Sequence, residues 1–200
     1  MMTTIRADED ARVAAILNER AGISVKSVFD LVNSKAAYPQ AVPVLLECLP
    51  GIREKWIKEG VVRALSVKEA RGKADAALVR EFKAIASDDR EHQSLKWAIG
   101  NALSTVATDS VANDLYELAQ DKGHGKAREM VVVALGNLSD PRAVEVLMNL
   151  LDDDEVCGHA IIAIAKLKAR QAVPKIQRLT NHPKPWVRKE AEKAISKLTR

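Results

Sequence analysis

The run Ala134-Leu-Gly-Asn-Leu-Ser-Asp-Pro-Arg-Ala-Val-Glu-Val-Leu-Met-Asn-Leu-Leu-Asp-Asp153 decides the fold. It closes one apolar helix at Ala134-Leu135, breaks at Asp140-Pro141, and opens a second helical stripe at Ala143. Asp140 supplies an N-cap, and Pro141 tolerates a first turn because its missing N–H has no partner there anyway. Two short helices joined this way bury only part of their apolar surface, so other hairpins must cover the rest.

The same dipeptide recurs on both sides of this run. Ala64-Leu65, Ala102-Leu103, Ala134-Leu135, Ala163-Ile164 and Ala194-Ile195 stand 38, 32, 29 and 31 residues apart, the length of a helix pair with two turns. Each lies near the end of a helix with apolar residues at helical spacing, as in Leu95, Ile99, Ala102, Leu103 and Val106. These are the second helices of the pairs. The first helices read from Ala41, Ala77, Val111, Ala143 and Ala172, with Pro43 and Pro174 in first turns. Thr108-Asp109-Ser110 offers another N-cap, and Asp88-Asp89, Lys122-Gly-His-Gly125 and Asn181-His-Pro183 separate the helices within pairs. Lys68 to Lys73 is an insertion between the first two units. Two further helices, Asp8 to Arg20 and Val25 to Ala36, lack the repeat's details and are read as an N-terminal helical cap over 7–37, followed by five repeats over 41–199 in a single domain, 1–200.

Composition agrees with an all-α chain. Of 200 residues 47% are hydrophobic and only 4% aromatic, with 9 Gly and 7 Pro, which favours helix over strand. Met1 to Arg6 do not open an apolar leader, and no run reaches the roughly 18 apolar residues of a membrane span, so a cytoplasmic location without membrane partners is expected. Cys48 and Cys157 fall inside apolar helical patterns and read as reduced core residues. Residues 166–200 carry 11 Lys or Arg against two Glu, a local balance of +9, while the remainder stands at −5.

The quoted run resembles the HEAT-like repeat also found in phycobilisome lyases, and Pro183-Lys-Pro-Trp-Val-Arg-Lys-Glu-Ala191 resembles the start of that repeat's second helix. The resemblance implies a right-handed α-solenoid of about five HEAT-like helix pairs and is nearly mute about activity. It also implies a ladder of acidic inner-turn residues and basic residues early in each second helix. Lys58, Lys96, Arg128 and Arg188 occupy the basic place, Asp89, Asp121 and Asn181 precede three of them by seven residues, and Cys157 interrupts the series. Such a ladder reads as glue between units.

Solenoids of this kind bind partners on the concave face lined by second helices. The residue before each Ala of the dipeptide gives an inner column Arg63, Asn101, Val133, Ile162 and Lys193, polar at its ends and apolar in the middle. Trp97, Glu129 and Lys189 share an adjoining position. A groove Trp is an anchor for binding energy, whereas Trp56 and Trp186, at helix starts, read as packing residues. Helices around Met130–Leu135 and Ala160–Ala165 are apolar nearly all round, so either neighbouring helices or a partner covers them.

Catalytic signals are weak. Gly123-His-Gly-Lys126 lacks the full phosphate-loop spacing, and His92, His124, His159 and His182 lie in different units without paired ligand spacing. Asp152-Asp-Asp-Glu155 reads as an acidic turn favoured by a helix N-terminus. The expectation is a non-enzymatic scaffold that binds another protein through Arg63, Trp97, Asn101, Glu129, Val133, Ile162, Lys189 and Lys193, with no catalytic, cofactor or metal residues. The alternatives are nucleic-acid or polyanion binding through the basic C-terminal repeat, and an accessory subunit of a lyase-like enzyme.

Overall fold

The computed structural model describes residues 2–200, with side chains from Asp8 onward. Among these residues there are twelve α-helices and no strand: α1 (Met2–Ala21), α2 (Val28–Val32), α3 (Ala41–Cys48), α4 (Lys55–Ala64), α5 (Asp75–Lys83), α6 (Gln93–Val106), α7 (Ala112–Gln120), α8 (Arg128–Ala134), α9 (Arg142–Leu150), α10 (Cys157–Leu167), α11 (Val173–Arg178) and α12 (Pro185–Leu198). Helices α3 to α12 form the five expected pairs, and each dipeptide closes a second helix or lies within its last turns.

Two layers result. Each second helix packs on the next without interruption, from α2 through α4, α6, α8 and α10 to α12. The first helices make extensive contact with one another only at α1–α3 and α7–α9. A stack closer on one side than on the other bends toward the closer side, so the second helices form the inner layer. The segment read as a cap enters both layers in the same order, α1 on α3 and α2 on α4. Its second helix is shorter than Val25 to Ala36: a capping box sets its start, Ser27 accepting from the Phe29 N–H and Asp30 from the backbone N–H groups of Lys26 and Ser27, and Asn33 ends it by donating to the Phe29 carbonyl.

One buried cluster runs the length of the stack, from Val13 and Leu17 through Leu65, Ile99, Val131 and Leu135 to Ile164, Val187 and Leu198. Helix α8 illustrates its demands: Val131, Val132 and Ala134 are fully buried, while Val133 is half-buried. Gly100 lets α6 approach α8 closely, since a Cβ there would stand 3.0 Å from the Met130 Cβ.

Polar links join the units along both edges of the inner layer. At the inner-turn edge, Lys58 pairs with Glu81 at 2.6 Å. Lys96, fully buried, donates to the Ala86 carbonyl, to the Ser87 carbonyl at 3.3 Å, and to His124 Nδ1 at 3.2 Å. Arg128, 1% exposed, donates to the Ala119 carbonyl at 3.1 Å, to Asp153 at 3.0 Å and to Glu155 at 2.9 Å. The interruption at Cys157 is filled differently, by a contact of 3.8 Å between its Sγ and His182 Nε2. Gly123-His-Gly-Lys126 is an inter-helix turn as expected, but its His124 is buried edge-on against Phe82, with ring centroids 5.0 Å apart.

At the opposite edge, Asp75 accepts from the hydroxyls of Thr108 and Ser110, and Asp109 accepts from the N–H groups of Ser139 and Asp140. Thr108 and Asp109 therefore bridge units and do not cap their own helix, whereas Asp140 does accept from the Arg142 N–H at 2.9 Å. Side-chain amides and hydroxyls also take up helix C-terminal carbonyls: Asn137 donates to the Ser104 carbonyl, and the Tyr38 hydroxyl to the Ala64 carbonyl.

Removing Arg128 leaves Asp153 half-buried without its cation and two turns unjoined. Arg128→Ala is expected to cost about 3 kcal/mol in urea unfolding, while Arg20→Ala, which breaks an exposed pair with Glu47, leaves the midpoint unchanged.

Candidate functional site

The inner layer arranges its residues in columns one helical turn apart. Trp56, Ser94, Lys126, Glu155 and Trp186 form one, at the starts of the second helices. Glu59, Trp97, Glu129, Gly158 and Lys189 form the next, and Arg63, Asn101, Val133, Ile162 and Lys193 the third. The eight residues expected to contact a partner thus occupy two adjoining columns, but their surroundings differ.

At the N-terminal end, Arg63 is spent locally: its guanidinium holds the buried Glu59 at 2.7 and 3.0 Å across one turn of α4. Trp97 is 39% exposed. Asn101, Val133 and Ile162 are half-buried, so neighbouring helices cover much of the apolar centre without closing it. Lys189 and Lys193 are exposed, with Lys193 3.5 Å from Glu190.

Trp56 and Trp186 do pack, as expected of helix-start aromatics, yet they remain 47% and 41% exposed. Trp56 stacks on Phe29 of α2 with centroids 5.1 Å apart. Trp186 lies across Gly158 of α10 and beside His159, at 5.2 Å between centroids. A Cβ on Gly158 would stand only 2.1 Å from the indole, so glycine is what lets this ring lie flat on the neighbouring helix. Sequence periodicity did not single out Gly158. The signal lay in the pairing of a glycine with a Trp one unit later.

Glu129 faces His159 Nε2 at 4.0 Å, and His159 Nδ1 is buried without a hydrogen-bond partner among the described residues. Burial pushes the Glu129 carboxyl up and the His159 imidazole down from their ordinary values, with Lys184 lowering His159 further. His124 is likewise pushed down, first by burial and then by the Lys96 ammonium, with Arg128 adding to the effect and Asp121 opposing it.

The remaining sequence candidates are tied into structure. The acidic turn holds cations from its neighbours, Asp152 pairing with Lys175 and Arg178 and both Asp153 and Glu155 with Arg128. Cys157 and His182 are both buried, and burial pushes the Cys157 thiol up, the reverse of an activated nucleophile. On the last helix, Arg188 donates to the carbonyls of His182 and Pro183. Lys184 donates to the Asp154 carbonyl at 2.5 Å. Lys189 and Lys197 have no ion pair among the described residues.

A two-layer stack of antiparallel helix pairs defines an α-solenoid. Residues 79–157 match the family described as HEAT repeats. Among solved structures, a designed armadillo repeat protein is similar, with a TM-score of 0.52 at 18% identity over 94% of this chain and 91% of that chain. No curated protein matches. HEAT repeats are thus matched over residues 79–157, and over nearly its whole length the chain shares the fold of an armadillo-type helical stack. Among the described residues, no helix is long and apolar enough to cross a membrane.

Two outcomes follow from this geometry. Gly158→Ala must displace the Trp186 indole, which intrinsic fluorescence reports as a red-shifted emission. His124 and His159, whose folded-state values lie below the ordinary 6.5, are neutral in the fold and bind protons more readily once unfolded. Stability is therefore greatest above about pH 6.5 and falls as the pH drops below it. His124→Gln and His159→Gln each flatten that decline in denaturant titrations.

Proposed function

We propose that this protein is a non-enzymatic interaction scaffold whose inner layer binds a peptide or helix of another protein. One observation carries the reading: the large hydrophobic side chains left exposed among the described residues, Trp56, Trp97 and Trp186, all stand on second helices. Aromatic anchors rimmed by polar side chains mark interaction surfaces. The half-buried Val133 and Ile162 between them extend the apolar strip. A HEAT-like stack supports the reading at the level of fold, since curved solenoids offer long surfaces of this kind.

Polyanion binding is a second reading, supported by Lys189 and Lys197, which have no ion pair among the described residues. It predicts retention on heparin at low salt with a steep salt slope. The reading as an accessory subunit of a lyase-like enzyme rests on the repeat resemblance alone.

The test is affinity capture from the native host with mass spectrometry, comparing the natural chain with Trp97→Ala and Val133→Asp. Proteins captured by the first and lost by both variants, with circular dichroism unchanged, are the expected result. Equal capture by all three removes the inner layer from consideration.

A further inference from the structure

Between α10 and α12 the inner layer opens into a cavity of about 190 Å³ floored by Ile161, Ile162, Ala165 and Ala194. Clefts for drug-sized ligands run to roughly 300–1,000 Å³, so this one suits a single side chain. Its rim is charged: Lys166, Lys193 and Lys197 surround it, with Glu190 as the one carboxylate. Glu190 lies 3.5 Å from Lys193 and offsets that cation alone.

Lys166 is fixed and uncompensated. Its ammonium donates to Asn137 Oδ1, and Asn137 is itself anchored through its amide to the Ser104 carbonyl at 2.8 Å. Arg71 reaches the same residue from the insertion after α4, donating to the Asn137 carbonyl at 3.3 Å. Two cations thus converge on a neutral asparagine, and neither has an ion pair among the described residues. Burial and the nearby Arg71 guanidinium both push the Lys166 ammonium down from its ordinary value, as an unmet positive charge requires. An anion placed here gains against several positive groups at once, and the apolar floor adds a second, uncharged requirement.

We propose that this slot seats an acidic segment of a partner protein, one aliphatic or aromatic side chain entering against Ile162 and Ala165 while flanking carboxylates meet Lys166, Lys193 and Lys197. The inference deepens the scaffold reading and rests on it. An acidic peptide is favoured over nucleic acid because the floor rewards an apolar side chain, which a sugar-phosphate backbone lacks, and because Glu190 repels a continuous row of phosphates.

The probe is a random peptide library displayed on phage and panned against the full chain, followed by fluorescence anisotropy of an enriched peptide. The expected consensus is an aliphatic or aromatic position flanked by Asp or Glu. Its binding weakens about tenfold or more in Lys193→Glu/Lys197→Glu and in a peptide whose anchor is replaced by Ala. Both lysines are exposed, so circular dichroism should not change. Enriched peptides that lack acidic bias, or that survive the charge reversal but are lost with Trp97→Ala, overturn the slot and leave the broader groove reading standing. Peptides indifferent to both sets of variants, or no enrichment over an unrelated protein, overturn both. Displacement of the peptide by single-stranded DNA, together with indifference to loss of the anchor, identifies a charge-only site and overturns the proposal.

Discussion

Helix α8 is too short and too apolar to exist by itself. Seven residues, Arg128–Ala134, cannot nucleate a stable isolated helix, and Val131, Val132 and Ala134 must all leave water. Helices α6 and α10 on either side supply the cover. The same dependence repeats from α2 to α12, so stability resides in the contacts between units. Every other property of the molecule, including its curvature and the surface it presents, follows from that mutual shelter.

Mutual shelter of apolar stripes is tolerant of sliding, and the buried polar groups remove that freedom. Arg128 can satisfy its guanidinium only if the next inner turn brings Asp153 and Glu155 to it. Lys96 requires the Ala86 and Ser87 carbonyls and His124 in one place. A slipped register would strand a buried charge, which costs far more than a displaced methyl group. At Cys157 the chain uses a thiol–imidazole contact with His182, and the stack continues through α10 and α12 without a gap.

The inner layer carries two kinds of surface. Its first two columns carry the exposed aromatics Trp56, Trp97 and Trp186 among side chains of both charges. Toward α12 the rim becomes basic around an apolar floor. The +9 balance of the last 35 residues thus has a geometric meaning: part of it, such as Arg188, secures the fold, and part, such as Lys197, stays without an ion pair among the described residues.

Much of this architecture was legible in the chain itself. Recurrent Ala-Leu and Ala-Ile dipeptides, the Asp140-Pro141 turn and apolar stripes specify helix hairpins through local periodicity, and hairpins with one bare face must stack. The basic ladder was visible too, because its members share one helical position. Tertiary structure alone decided who answers each member. Partners in the next unit lie 23 to 28 residues away, as Glu81 does for Lys58, His124 for Lys96 and His182 for Cys157. Likewise, no local pattern could say that Arg63 turns to Glu59, that Gly158 is the floor for Trp186, or that Arg71 and Lys166 meet at Asn137. Periodicity assigns a side chain to a face. Its distance to a group on another helix depends on how closely the units pack.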